Sequence, residues 1–113
     1  MSALTGIRIV ELAESVAGEY CGKLLADFGA EVIKIERPHC GSPTRAMAPL
    51  IGAGGGPEHS ALFAYLNTNK RSVVLDVSSP DEIERLHRII ATAAAVVDDH
   101  APSWTEAVGL SAA

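Results

Sequence analysis

Two short apolar runs set one helix apart constrain this chain more than any other feature. Residues 6–12 (GIRIVEL) and 31–36 (EVIKIE) are short and rich in β-branched residues. Between them lies SVAGEYCGKLLADF, residues 15–28. Its apolar residues Val16, Tyr20, Cys21, Leu24, Leu25 and Phe28 recur at helical spacing and predict one buried stripe. Ser15 suits the helix start and Gly29 its end. The unit spans about 30 residues, the length that a crossover between parallel strands needs.

The second half repeats the theme. KRSVVLDV (70–77) predicts a third strand and AAVVDD (94–99) a fourth. In SSPDEIERL, Ser79 suits the N-cap, Pro80 the first helical position, and Glu82 the third position of a capping box. Asp81 and Glu82 favour the positive helix end. Ile83, Leu86, Ile90 and Ala93 form the predicted buried face. ALFAYLN (61–67) suggests a short helix, and residues 100–113 suggest an unfinished connection. Between them, residues 38–60 form a long Gly/Pro-rich loop without periodicity, a type of segment that is usually functional, partner-bound or mobile. The expected fold is α/β: an open, mainly parallel sheet of about four strands with helices on its faces, a partial Rossmann-like domain.

Composition narrows the class. The 113 residues suit a single domain, residues 1–113, and 48% hydrophobic with 20% charged residues is globular. At 4% aromatic, the core must come from Val, Ile, Leu and Ala. A net charge of −5 argues against nucleic acid as a partner. No apolar run approaches the roughly 20 residues of a membrane span, and no signal peptide is evident. A cytoplasmic location is expected, with Cys21 and Cys40 as free thiols.

Open parallel sheets bind ligands outside the carboxyl ends of their strands. Here the first strand runs into Glu14, Ser15, Val16, Ala17 and Gly18, and the second ends at Glu36 and Arg37. The third ends at Leu75 and Asp76, and the fourth at Asp98, Asp99 and His100. Arg37 suits two-point recognition of a phosphate; the alternative is a solvated strand end paired with Glu36. Backbone N–H groups near Val16 and Ala17 suit a second anionic group. Asp76 and Asp98 are read as surface carboxylates or caps. The G-x-G-x-x-G fingerprint is absent, since only Gly18 and Gly22 follow the first strand; that demotes an NADP-type domain with Arg37 on a 2′-phosphate. His39, His59, His87 and His100 lack metal-ligand spacing, so no metal is expected. Neither G-x-S-x-G nor G-x-x-x-x-G-K occurs. Lys70 and Arg71 are read as a structural pair tying the preceding loop to nearby acids.

The segments GIRIVELAESVAGEYCGKLLADFGAEVIKIERP, GSPTR and LNTNKRSVVLDVSSPDEIERL resemble the start of the family III CoA-transferases. That family includes formyl-CoA transferase, carnitine CoA-transferase and α-methylacyl-CoA racemase. The resemblance runs from about residue 4 to residue 110. It implies coenzyme A or acyl-CoA as a substrate ligand, with no tightly bound cofactor. The implied contacts are Val16, Ala17, Arg37, Leu75, Asp76, Val77, Ser78, Asp99, His100 and Ala101.

Departures temper the implication. The family usually has Asn and an aromatic where this chain has Asp99 and His100, and often a lysine where it has Ser78. Both changes lower the expected affinity for CoA phosphates. Family members are much longer and form interlocked dimers, and their catalytic aspartate, a covalent nucleophile, lies downstream of this segment. No catalytic residue is expected here. The expected function is a stand-alone or truncated N-terminal domain that contributes to CoA binding in acyl-CoA transfer or racemisation. The alternative is a noncatalytic interaction module that kept the fold and lost the ligand. A sheet of this size would expose edges and apolar faces, so a homo-oligomer or a partner chain supplying the missing part is expected.

Overall fold

The computed structural model describes residues 2–52 and 56–110. Four strands, β1 (Arg8–Glu11), β2 (Glu31–Glu36), β3 (Arg71–Val74) and β4 (Ala95–Val97), form one sheet in the order β3-β2-β1-β4. All three pairings are parallel. The helices are α1 (Val16–Asp27), α2 (Ala61–Leu66), α3 (Pro80–Ile90) and α4 (Pro102–Ala107). The α/β architecture is the one expected.

The central strands β1 and β2 have two unlike faces. On one, Val10, Leu12, Ile33 and Ile35 pack with Leu75 and Leu86. Ile89, Ile90 and Trp104 complete this apolar layer from α3 and α4. On the other, Ile9 and Val32 meet Ala26 and Ala30 near the amino ends. Alternation then places Glu11, Lys34 and Glu36 on that second face toward the carboxyl ends. All three are buried.

That charged half-face corrects the reading of α1. The helix does not bury its apolar stripe; it turns Glu19, Gly22 and Ala26 inward. Val16, Tyr20, Leu24 and Phe28 stay exposed, Phe28 at 60%; Cys21 is exposed as well. The cause is electrostatic: Lys34 donates to Glu11 (2.8 Å), Glu19 (3.0 Å) and the Ala13 carbonyl (3.1 Å). Rotating the apolar stripe inward would withdraw Glu19 and leave buried charge uncompensated. Gly22 permits the close approach, because a Cβ there would lie 1.7 Å from a Glu11 carboxylate oxygen.

Ser15 caps α1 as expected, accepting from the Gly18 N–H. Ser79 is the N-cap of α3, but its side chain makes no capping hydrogen bond, so the predicted capping box does not form. Leu86 anchors the apolar face of α3. The unfinished connection is instead the helix α4, with Pro102 in its first turn.

The described parts of the Gly/Pro-rich loop, residues 38–52 and 56–60, carry more regular structure than the sequence suggests. They contain a 3-10 helix, Pro43–Ala46, and an antiparallel bridge between Leu50 and Ser60. Thr44 donates to Glu19 (2.7 Å) and Asn67 Nδ2 donates to the same carboxylate (2.9 Å), tying loop and α2 to α1. Lys70 donates to Glu11 (2.6 Å), to the Glu19 carbonyl (2.8 Å) and to Asn67 (2.8 Å). The tethering role read from the Lys70-Arg71 pair thus belongs to Lys70. Arg71 is exposed and lies 4.0 Å from Glu31.

Candidate functional site

The carboxyl ends of β1 and β4 meet at the start of α1. Asp99 follows β4 and accepts from the backbone N–H groups of Glu14 (3.0 Å) and Ser15 (2.9 Å), and from the Ser15 hydroxyl. Burial raises its carboxyl, but these hydrogen bonds and nearby His100 outweigh that and hold it below the ordinary value. Asp99 is therefore a structural acceptor for the segment leading into α1. Gly18 allows this, since a Cβ there would lie 2.7 Å from Asp99 Oδ2. The Val16 and Ala17 amides lie just beyond, in the first turn, where no intrahelical acceptor is available.

Arg37 follows β2. It does not pair with Glu36. It donates Nε and Nη2 to the two Glu14 oxygens, at 2.5 and 2.7 Å. Its side chain is 56% exposed, whereas that of Glu14 is 15% exposed. Glu14 is shared: His100 Nε2 lies 2.8 Å from its Oε1, and His100 Nδ1 lies 2.6 Å from Asp98 Oδ1. Both contacts are hydrogen bonds only when both ring nitrogens carry hydrogen, because ionised carboxylates only accept. The His100 ring stacks on Trp104, with centroids 3.6 Å apart and 10° between planes. Burial raises the Glu14 carboxyl, but Arg37 and His100 outweigh it and lower it on balance.

Glu36 faces the loop and pairs with Arg45 at 2.7 and 2.8 Å. Ser72 (2.7 Å) and the Ser42 backbone N–H (2.9 Å) also donate to it. Burial raises Glu36, but these donors hold it down at about 2. The pair braces the loop against β2.

The remaining rim residues follow β3. Asp76 accepts from the Ser78 N–H (3.0 Å) and hydroxyl (2.6 Å), a local turn that lowers its carboxyl. Leu75 and Val77 line a small cleft with Glu14, Arg37, His100 and Trp104. A larger cavity of about 460 Å³ opens on the loop side of Arg37, between Cys40, Arg45, Leu50 and Pro57. Ligand atoms of Asp98, Asp99 and His100 come within 4.8 Å of one another. The protein partners just named occupy all three.

The expected rim residues thus fall in one region, on the ends of β1, β2, β3 and β4. Three members were not singled out by sequence: Glu14 as the partner of Arg37, Trp104 beneath His100, and Arg45 as the partner of Glu36. Glu14 stands in the run that closes the first strand, and Trp104 stands four residues beyond His100, which is the available signal for each.

An open parallel sheet with helices on its faces defines an α/β domain, a class whose ligands sit outside the carboxyl ends of the strands. The chain belongs to the family III CoA-transferases, whose family pattern it matches over residues 4–113. It is 40% identical over 98 residues to succinate–glutarate CoA-transferase of Agrobacterium fabrum, covering 85% of this chain and 24% of that protein. It is 38% identical over 110 residues to formyl-CoA:oxalate CoA-transferase of Afipia carboxidovorans, covering 96% and 25% respectively. The fold is similar to that of a CAIB/BAIF family protein from Brucella suis, with a TM-score of 0.86 and 34% identity over 98% of this chain and 29% of that one. A Mycobacterium tuberculosis protein matches with a TM-score of 0.84 and 29% identity, over 99% and 29%. The chain spans about a quarter of the length of the curated relatives it matches. No helix among the described residues is long and apolar enough to cross a membrane.

Proposed function

We propose that this chain forms the part of a family III CoA-transferase that holds the nucleotide end of coenzyme A or an acyl-CoA. The observation that carries the reading is the position of Arg37. It closes β2 on the carboxyl rim, and its side chain is more than half exposed beside the start of α1. In this reading Arg37 takes a CoA phosphate in two-point geometry. The Val16 and Ala17 amides take a second anionic group. Leu75, Asp76, Val77 and Ser78 border the adenosine from one side, and Asp99, His100 and Ala101 from the other. The full reaction would move CoA between an acyl-CoA and a carboxylate. No residue of this chain is assigned as its nucleophile, and racemisation remains the alternative chemistry.

Two observations favour the second reading, a noncatalytic interaction module. The α1 stripe of Val16, Tyr20, Leu24 and Phe28 faces outward, and Arg37 already has a carboxylate partner. Calorimetric titration with coenzyme A separates the two. The first reading predicts saturable binding that weakens at least tenfold in Arg37→Ala, the value of one charge-assisted bidentate contact. No heat at millimolar ligand would leave the interaction module.

A further inference from the structure

The cleft between the ends of β1, β2 and β3 measures about 50 Å³. That admits a few waters and nothing larger. Its rim carries the Arg37–Glu14 pair. The side-on edge of Arg37 is used: its Nε and Nη2 face the two oxygens of Glu14, while Nη1 has no partner among the described residues. A phosphate approaching Arg37 in the same side-on geometry therefore meets a carboxylate already seated there.

We infer that Glu14 is an internal competitor for the side-on edge of Arg37, a carboxylate latch that a phosphate taking that edge must displace. This rests on the reading that Arg37 contacts a CoA phosphate. The arrangement supplies what an exchange needs. Glu14 does not depend on Arg37 alone: when both ring nitrogens of His100 carry hydrogen, Nε2 donates to Glu14 Oε1 at 2.8 Å. When Arg37 turns to the ligand, Glu14 keeps that partner and no carboxylate is stranded without a donor. His100 stays in place, fixed by Asp98 on its other nitrogen and by Trp104 on its face. The exposures agree: Arg37 is the solvated half of the pair, while Glu14 and His100 are largely covered. Glu14 is thus a positioning residue that tunes affinity. It sets a threshold, since the ligand group must outbid a two-point carboxylate, and a phosphate carries more charge and more acceptor oxygens than a carboxylate does.

The test is a double-mutant cycle on the 113-residue chain, with coenzyme A as the probe and calorimetry as the readout. Wild type, Glu14→Gln, Arg37→Ala and the double variant are compared, with circular dichroism confirming the fold of each. Glu14→Gln is expected to bind about two- to fivefold tighter than wild type, the range of a partly exposed ion pair. That gain should vanish in the Arg37→Ala background, which a merely structural effect of Glu14 would not require. Unchanged or weaker binding by Glu14→Gln, together with a clear loss in Arg37→Ala, overturns the latch and leaves the CoA reading standing. Equal affinity of wild type and Arg37→Ala overturns the reading at Arg37 and the latch with it. So does absence of binding by both wild type and Glu14→Gln.

Discussion

Replacing Lys34 with methionine should be among the most damaging single changes this chain can receive. The Lys34 side chain is 1% exposed, and its ammonium donates three hydrogen bonds, to Glu11, Glu19 and the Ala13 carbonyl. Two buried carboxylates and two buried ammoniums, Glu11, Glu19, Lys34 and Lys70, balance in charge. Methionine fills much the same volume but leaves the cluster one charge short. Glu11 keeps Lys70 at 2.6 Å. Glu19 is left with the neutral donors Thr44 and Asn67. Breaking a buried pair in this way costs about 3–5 kcal/mol, against a total stability of about 5–15 kcal/mol for a domain of this kind. The melting temperature should fall by roughly 10–20 °C. Urea unfolding followed by circular dichroism at neutral pH measures the loss. Adding Glu19→Gln to Lys34→Met restores neutrality and should recover at least half of it. A loss below about 1 kcal/mol in the single variant, or no recovery in the double, would refute the claim that charge balance orients α1.

Other perturbations test neighbouring parts of the account. Glu36 sits at about 2 in the folded chain against an ordinary 4.5, so its contribution is complete above 4.5 and is lost as pH falls toward about 2. That contribution is on the order of 2–3 kcal/mol, and Arg45→Ala should flatten the acid limb of a stability–pH profile. Gly22→Ala would drive a methyl into Glu11 and should destabilise by about 1–3 kcal/mol in the same urea assay. Trp104 is the one tryptophan of the chain and stacks on His100; its fluorescence should change on titration with coenzyme A and stay constant in Arg37→Ala. The outward stripe of α1 should promote concentration-dependent association in light scattering, and Phe28→Glu should suppress it.

The fold was legible because each unit announced itself locally. β-branched runs, a helical period between them and Ser15 before the first helix together require a parallel crossover. The rim was legible for the same reason, since the carboxyl end of a strand can be found from the strand alone. What escaped was non-local. The Val16–Tyr20–Leu24–Phe28 stripe has the spacing of a buried face, yet Glu11 and Lys34 on the facing sheet claim Glu19 instead. Nothing within α1 announces that. The partners of Arg37 and Glu36 followed the same logic. Sequence adjacency offered a pair between the two as the alternative to a phosphate contact, but alternation along β2 sends Glu36 toward Arg45 on the loop. Arg37, past the strand end, is left to Glu14. Residues 100–113 suggest an unfinished connection because the segment is short and lacks a clear helical period, whereas Pro102 in fact suits the first turn of α4.

On the proposed function, the carboxyl rim around Arg37 is the CoA site. Amide chemical-shift mapping during a coenzyme A titration tests it most directly. The account predicts the largest changes at Val16, Ala17, Arg37, the residues from Leu75 to Ser78 and those from Asp99 to Ala101. Changes centred instead on the amino-end cleft of Arg8, Arg85 and Arg88 would contradict it.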